Sequence, residues 1–486
     1  MVEVRKKIAV LITHGVGEQI PMETLTAFVK AAWKTNIEAQ WVSPPDENPE
    51  EIWFKPDPVA GSHELRRITT RWTKSSAGPT AKGPRVDFFE FYWADLAEGT
   101  TVQEVWDWLR TLLVRWPSQV PKGLMSAWLL MWATTLVVAA LLLFATLPWP
   151  GGWWHEGLAL AAAVIGYIMQ SLVSPYLGDV ARYVRADPRN IAMRAAIRDR
   201  GLKLLWDIHD SGAYERVIVV AHSLGTVIAY DLIALLWAER GKALLIQETE
   251  PLFGKLRAVE EAAHALEASG DDCEGKLRAF RDAQRSFRRG LRSGGDDGTQ
   301  KARTADEQWL ISDFVTLGAP LTHAQFLLAR DKKDLDEKIA RWLFPTSPPQ
   351  FQPIESEQLA KINARPVTPS PAVLGPKSGL FSYFYGAPET WTMHHAAPFS
   401  AVRWTNIYDP HWLIFAGDII SGPLVPVFGR GIRDINLKEL RGQSPCFSHT
   451  LYWSVPEGRT SSAGLPQIEA LQKAINLLDQ PETTGP

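Results

Sequence analysis

The chain contains two long apolar runs that carry no acidic or basic side chain. The first lies within residues 123–154 and the second within residues 157–178. At about 1.5 Å of rise per helical residue, either run is long enough to cross a hydrocarbon core roughly 30 Å thick. The link between them is rich in proline, glycine and tryptophan, which is typical of a turn at a membrane interface. We therefore predict an inserted two-helix transmembrane hairpin over residues 118–180.

The charges around these runs predict how the hairpin is oriented. Lysine and arginine occur both before the first run and after the second, whereas the link between the runs contains neither. By the positive-inside rule, both flanks are cytoplasmic. The expected protein is integral to the membrane, has the lipid bilayer as a partner and keeps its folded domain in the cytoplasm. The alternative interpretation of the two runs is a pair of helices buried in the protein core.

The overall composition excludes several classes of protein. Lysine and arginine number 51 against 54 aspartates and glutamates, so no basic field exists to attract nucleic acid, and we predict no nucleic-acid partner. The chain has two cysteines, Cys273 and Cys446, which is too few for a disulfide framework or for a zinc site made of cysteine alone. This cysteine usage fits a reducing compartment.

Outside the hairpin, short β-branched runs alternate with segments of helical pattern. Strands are predicted at residues 7–15, 63–73, 85–93, 216–223, 313–320 and 401–409. Helices are predicted at residues 22–40, 102–115, 190–209, 224–237 and 468–478. The alternation predicts an α/β fold with a mostly parallel sheet and helices on both faces.

Two segments interrupt this alternation. Residues 241–304 form a charged, helix-prone insertion, and residues 343–393 form a lid-like segment rich in proline and aromatic residues. Arginines recur at helical spacing in the insertion, at Arg278, Arg281, Arg285, Arg288 and Arg292. Such a helix suits either an anionic membrane surface or an ordinary solvated surface, and both interpretations stay open. The core is then divided into residues 1–117, 181–240 and 305–479, followed by a polar tail, 480–486.

The run VVAHSLGTVIAYDL carries the sharpest chemical signal in the sequence. A buried strand ends at His222, and a helix begins directly after Ser223, which is the context of a nucleophile elbow. Small residues allow the strand and helix to approach each other, with Gly225 on one side and Ala221 where glycine is more usual. The N–H of Leu224 opens the helix and can face a developing oxyanion. The alternative role for Ser223 is a helix N-cap.

A second glycine turn, THGVGEQ, follows the first predicted strand. Gly15 and Gly17 let the backbone turn sharply, and the amides of Gly15 and Val16 are candidates for the other half of an oxyanion hole. An ordinary glycine turn explains the same residues. A phosphate-binding loop does not, because its Lys-Ser/Thr pair is missing.

A base and an orienting acid should follow the serine, in the order serine, acid, histidine. His449 lies beyond both acid candidates, as this order requires, and His411 and the pair His394–His395 are alternatives. The acid candidates are Asp409, which ends a predicted strand, and Asp418 in the loop after it. Either carboxylate could orient the imidazole, and either could instead begin a turn. The residues alone do not decide between Asp409 and Asp418 as the acid.

Taken together, these motifs resemble those of the α/β-hydrolase superfamily, in particular its lipase-like and esterase-like serine hydrolases. The resemblance rests on HGVGEQ, AHSLG, DFVTLGAPL, WTNIYDP…GDIISGP and HTLYW, in that order. The segment DII at residues 418–420 is similar to the family's Asp-Pro-Val or Asp-Pro-Ile element, which favours Asp418 over Asp409. The resemblance implies hydrolysis of acyl esters through an acyl-enzyme on Ser223, assisted by His449 and Asp418, without a metal or an organic cofactor.

The hairpin and the resemblance together lead us to expect a membrane-anchored lipase or esterase acting on lipid acyl esters. A protein-acyl thioesterase would use the same three residues. A hydrolase fold that serves as an inactive membrane scaffold is the alternative from a different class, since fold alone does not imply activity.

Overall fold

A computed structural model gives the fold over most of the chain. It describes residues 6–15, 20–42, 48–56, 64–75, 78–97, 114, 116–117, 120, 125–146, 156–162, 164, 183, 188–270, 273–292, 303–304, 307–353, 379–385, 389–411, 416–446 and 448–482. The helix predicted at 102–115 and most of the second apolar run lie outside these residues.

The described strands form one large sheet and two small ones. In chain order they are β1 (Lys7–Thr13), β2 (Ile52–Pro56), β3 (Arg66–Ser75), β4 (Gly78–Phe91), β5 (Tyr214–His222), β6 (Ile246–Gln247), β7 (Ile311–Leu317), β8 (Gln352–Pro353), β9 (Gly379–Leu380), β10 (Ser382–Phe384), β11 (Thr390–Met393), β12 (Arg403–Tyr408) and β13 (Arg433–Asn436). The large sheet has eight strands in the order β13-β12-β7-β5-β1-β4-β3-β2. Neighbours from β13 to β4 are parallel, while β3 and β2 are antiparallel additions at one edge.

Helices cover both faces of this sheet. The described α-helices are, in chain order, α1 (Glu23–Val29), α2 (Met125–Thr146), α3 (Ile191–Asp210), α4 (Leu224–Arg240), α5 (Pro251–Glu267), α6 (Cys273–Gly290), α7 (Ala324–Leu327), α8 (Lys332–Ala340), α9 (Val425–Phe428), α10 (Leu437–Arg441) and α11 (Pro466–Ile475). A π-helical segment, Lys30–Lys34, continues α1. One buried apolar cluster contains residues of α3 and α4, and a second contains residues of α1 and α11. The predicted α/β class with a mostly parallel sheet is therefore confirmed.

The two central strands, β1 and β5, determine where a site can form. Nearly all their residues are buried, because parallel strands covered on both faces must be apolar on both. After β1 the chain adds β2, β3 and β4 on one side of β1, and after β5 it adds β7, β12 and β13 on the other side. The border between β1 and β5 is thus a topological switch point. Ligands of open α/β sheets bind outside the carboxyl ends of the strands at such a point.

The prediction of a transmembrane hairpin is wrong for the part of the chain that the structure describes. α2 spans 22 residues of the first apolar run. In the second run, the described helical positions are 156–162 and 164 alone. No helix in the described ranges has both the length and the apolarity to cross a bilayer. The described residues therefore do not support the expected integral-membrane localisation.

Four of the five arginines of the stripe lie on α6, which ends at Gly290 before Arg292, and in part they face inward. Arg281 is buried and donates through Nη1 to the carbonyl of Trp404, at 2.7 Å. Arg288 is buried too, and its Nη2 donates to Asp479 Oδ1 at 2.7 Å. Burial alone would raise the pKa of Asp479, but the surrounding arginines, foremost Arg288, hold it well below its usual range. Neither the membrane interpretation nor the solvated one describes this face, which fastens α6 to β12 and to the C-terminal segment.

Candidate active site

Ser223 occupies the turn between β5 and α4. Its φ of 52° and ψ of −130° are unusual for a residue other than glycine, and such strain concentrates at functional sites. The backbone is held on both sides. The Ser223 N–H donates to the carbonyl of Leu317 at 3.0 Å, and the Thr226 hydroxyl donates to the carbonyl of Ser223 at 2.7 Å. The Ser223 side chain makes no capping hydrogen bond to α4, so its hydroxyl is not used as an N-cap.

Two glycines bring the end of β1 against this turn. A Cβ at Gly15 would lie 2.8 Å from Ser223 Cβ and 3.5 Å from Ser223 Oγ. A Cβ at Gly225 would lie 2.4 Å from the carbonyl oxygen of His14. Both positions therefore require glycine for the close approach of β1 and α4. Leu224, as the first residue of α4, has an N–H without an intrahelical acceptor. Val16 lies outside the described residues.

Asp418 and His449 form a hydrogen-bonded pair on the other side of the site. His449 Nδ1–H donates to Asp418 Oδ2 at 2.9 Å, and the Tyr452 hydroxyl donates to the same oxygen at 2.7 Å. The Ile420 N–H donates to Asp418 Oδ1 at 2.9 Å. Burial alone would raise the pKa of Asp418, but the charge and hydrogen bond of His449, with the other two donors, lower it to about 2. Asp418 is thus an ionised acceptor that fixes the imidazole and leaves Nε2 available.

Gly318, directly after β7, makes room for this pair. Its φ is +59°, and a Cβ there would lie 3.1 Å from both Asp418 Oδ2 and His449 Nδ1. Gly318 follows Leu317, whose carbonyl accepts the Ser223 N–H. One dipeptide therefore contacts the serine turn on one side and the acid–histidine pair on the other.

The His222 side chain contacts the segment that carries His449. Its Nε2–H donates to the carbonyl of His449 at 2.7 Å, and the two imidazole centroids are 4.7 Å apart. Burial, and then the charge of His449, lower the pKa of His222 to about 3. A hydrogen bond between Ser223 Oγ and His449 is not formed among the described residues. Catalytic hydrogen bonds are often long or misaligned before substrate binds.

His14 supports the glycine turn after β1. Its Nδ1–H donates to the carbonyl of Gly15 at 2.8 Å, while its Nε2 accepts the N–H of Trp93 at 3.2 Å. The ring stacks on the Trp93 indole at a centroid distance of 5.0 Å. Burial lowers the pKa of His14 to about 4. A neutral imidazole therefore holds the peptide of Gly15 in place.

The other predicted site residues have different partners. Asp409 is buried and accepts from Arg441 Nη1 at 3.1 Å and from the Ser444 hydroxyl, so among the described residues its carboxylate is bound by donors other than an imidazole. His394 is hydrogen-bonded to the carbonyl of Gln350, and both His394 and His395 contact the ring of Trp342. His411 follows Pro410, which forms an isolated bridge with Asp418. No described hydrogen bond or ion pair joins any of these histidines to either acid.

Three residues of this site were given no role by the sequence. Gly318, His222 and Tyr452 all contact the acid–histidine pair or its backbone. The glycine directly after a buried strand was a usable signal for Gly318, since a tight turn at that edge faces the serine. Nothing in the sequence pairs Tyr452 with Asp418, because that contact depends on the folded loops.

Two cavities lie away from Ser223. One of about 480 Å³ lies at the amino ends of β7 and β12, where Asp313 and Arg403 line it. The other, of about 320 Å³, lies at the far end of α4 and is lined by Trp237 and Trp342. Strand geometry and the acid–histidine pair, rather than cavity size, locate the site. Within the described ranges, no group of three or more histidine, cysteine or acidic side chains could hold a metal ion.

Comparisons with known proteins leave the chain without a match. No family model, no curated protein and no solved structure is significantly similar to it. Its function therefore has to be inferred from the geometry of this site.

Proposed function

We propose that the protein is a serine hydrolase of the α/β-hydrolase type that cleaves acyl esters through an acyl-enzyme. Ser223 is the nucleophile, His449 the general base and acid, and Asp418 the residue that orients His449. The observation that carries the proposal is the buried Asp418–His449 pair beside a strained serine turn. Neither feature is needed for a sheet to fold, and together they are the parts that activate a serine.

The first half of the reaction acylates the serine. His449 Nε2 takes the proton of Ser223 Oγ as the oxygen attacks the ester carbonyl carbon. The negative charge that develops on the carbonyl oxygen is stabilised by N–H groups, for which Leu224 and Gly15 are the candidates among described residues. The carbon–oxygen bond to the alcohol then breaks, and the alcohol leaves with the proton held by His449. Asp418 stabilises the imidazolium throughout.

The second half releases the acyl group. His449 takes a proton from water, and the resulting hydroxide attacks the acyl carbon on Ser223. The bond to Ser223 Oγ breaks, the oxygen regains its proton from His449, and the carboxylic acid leaves. Ser223 and His449 return to their starting states, so the two half-reactions together consume no cofactor.

The substrate class is an acyl ester, without commitment to a lipid. The expectation of a lipid substrate rested on the transmembrane hairpin, which the described fold does not contain. A protein-acyl thioesterase would use the same steps with a thiolate as the leaving group. An inactive scaffold is the competing proposal, and it is weakened by the ionised Asp418 held against His449.

Hydrolysis of p-nitrophenyl acetate by purified variants tests the proposal. We expect turnover by the wild-type protein and loss of about 10³-fold or more in Ser223→Ala and in His449→Ala. Ser462→Ala is the matched control, because Ser462 lines the cavity at the opposite end of the sheet. It should leave turnover unchanged.

Two results would count against the proposal. One is a folded wild-type protein that neither turns over the ester nor reacts with a fluorophosphonate probe. The other is equal turnover in wild type and Ser223→Ala. Either would favour the scaffold.

A further inference from the structure

We propose that His222 is a positioning residue for the proposed reaction, tying the backbone of His449 to the residue next to the nucleophile. The inference rests on the proposed roles of Ser223 and His449. Its basis is the hydrogen bond of 2.7 Å between His222 Nε2 and the carbonyl oxygen of His449. His222 precedes Ser223 directly, so this bond links the serine turn to the segment that carries the base.

The direction of that hydrogen bond fixes the tautomer. A backbone carbonyl can only accept, so Nε2 of His222 carries a proton, and in the neutral ring Nδ1 carries none. The imidazole has little access to water and is neutral. Because burial lowers its pKa to about 3, the His222 ring is a weak base that does not compete with His449 for the serine proton, and without a charge it does not repel the imidazolium of His449. His222 therefore acts through His449 rather than on the substrate.

The His222 ring has almost no room to move. Its centroid lies 4.8 Å from that of Trp453, in an edge contact, and 5.9 Å from that of Tyr452. A Cβ added at Gly15 would lie 3.1 Å from His222 Nδ1. These contacts make the ring a fixed anchor rather than a mobile side chain.

His449 needs such an anchor because its own segment is short. It lies in a single 3₁₀ turn, Ser448–Thr450, and its side chain is 18% exposed. Asp418 fixes the ring through Nδ1, and His222 fixes the main chain through the carbonyl. Together the two bonds determine both the position and the tilt of the imidazole. A displacement of about 1 Å at such a group can lower the rate about 100-fold.

The test compares His222→Gln with His222→Phe. The glutamine side chain can place an N–H near the position of Nε2, whereas phenylalanine keeps the ring and removes the donor. We expect the rate constant for fluorophosphonate labelling of Ser223 to fall about tenfold or more in His222→Phe, and to stay within about threefold of wild type in His222→Gln. With p-nitrophenyl acetate, kcat should fall in His222→Phe while KM changes little, because the substrate does not touch His222.

Controls separate this inference from the proposed function and from a loss of folding. All rates are measured well below the melting temperature of each variant. If His222→Phe does not fold, His222→Asn replaces it, because its shorter amide cannot reach the carbonyl of His449, and the same loss is expected. If the wild type is labelled and the donor-lacking variant is labelled at the same rate, the inference is overturned and the proposed function still stands. Equal losses in His222→Gln and the donor-lacking variant also overturn it, whereas an unlabelled wild type overturns the proposed function itself.

Discussion

Replacing Gly318 with alanine places one methyl group against the acid–histidine pair. The added Cβ would lie 3.1 Å from Asp418 Oδ2, 3.1 Å from His449 Nδ1 and 2.9 Å from Tyr452 Cε2. Ordinary van der Waals contact begins near 3.4 Å. The three side chains must therefore retreat by several tenths of an ångström, and the hydrogen bonds that meet at Asp418 Oδ2 must lengthen or tilt.

Gly318→Ala has two effects, a backbone strain and a displacement of His449, and the structure allows them to be separated. A side chain at a φ near +60° costs about 1–2 kcal/mol in any left-handed position. Gly458 has a φ of +74°, and a Cβ added there would meet nothing within 4 Å, so Gly458→Ala carries the backbone cost alone. The displacement of the base is specific to Gly318→Ala. We expect it to lower the labelling rate of Ser223 by about 10-fold to 100-fold, given the rate loss that follows a 1 Å misplacement.

The assay measures two quantities on each variant. The free energy of unfolding comes from urea titration and the rate constant of Ser223 labelling from a fluorophosphonate time course. Both alanine variants should lose stability, and Gly318→Ala alone should lose reactivity. Equal labelling rates in Gly318→Ala, Gly458→Ala and wild type would refute the assignment of the Asp418–His449 pair to the activation of Ser223.

Three further predictions follow from the charges of the fold. Asp418→Asn should lower ester turnover about 10³- to 10⁴-fold with little loss of folding, because an amide can hold His449 in the wrong tautomer; turnover within tenfold of wild type would contradict this. Burial, and then a nearby cation, lower the pKa of His209 to about 3, and its Nε2 accepts the N–H of Leu310, so stability should be lost as the pH falls below about 6.5. Between pH 7 and pH 5, protonation of His209 in the unfolded chain should lower the free energy of unfolding of the wild-type protein by about 2 kcal/mol. His209→Gln should lack this part of the decrease. A decrease as large as that of wild type would count against a neutral, buried His209. Asp479→Asn should lower the free energy of unfolding by about 3–5 kcal/mol, because buried arginines lose their counter-charge, and a urea titration showing less than about 1 kcal/mol would contradict it.

Local patterns were sufficient to predict the central strands and the serine turn. The β-branched run before His222 predicts β5, and the apolar helical pattern after Ser223 predicts α4. Both depend on neighbours within a few residues, so the sequence carries them directly. The order of motifs also suggested His449, and the DII segment favoured Asp418 as the acid. The fold adds the contact between Asp418 and His449 and the pairing of Asp409 with Arg441.

The features that the sequence missed depend on distant contacts. Helical spacing reveals the arginine stripe of α6, but Arg288 meets its partner Asp479 at a separation of 191 residues. When the acidic partners of such arginines are unknown, a stripe of charged residues is interpreted as a solvent-exposed helix face. In the same way, apolarity over residues 123–178 suggested spanning helices, whereas no helix in the described ranges is long and apolar enough to cross a bilayer. Local pattern gives no information on what covers a helix.

The role of Ser223 as nucleophile is the central claim, and mass spectrometry of a fluorophosphonate adduct tests it most directly. The protein is incubated with excess probe, its intact mass is measured, and its proteolytic peptides are sequenced. We predict one adduct per chain, on the peptide that contains Ser223, and its disappearance in His449→Ala. A folded protein that gains no mass, or that carries the adduct on another residue, would contradict the account.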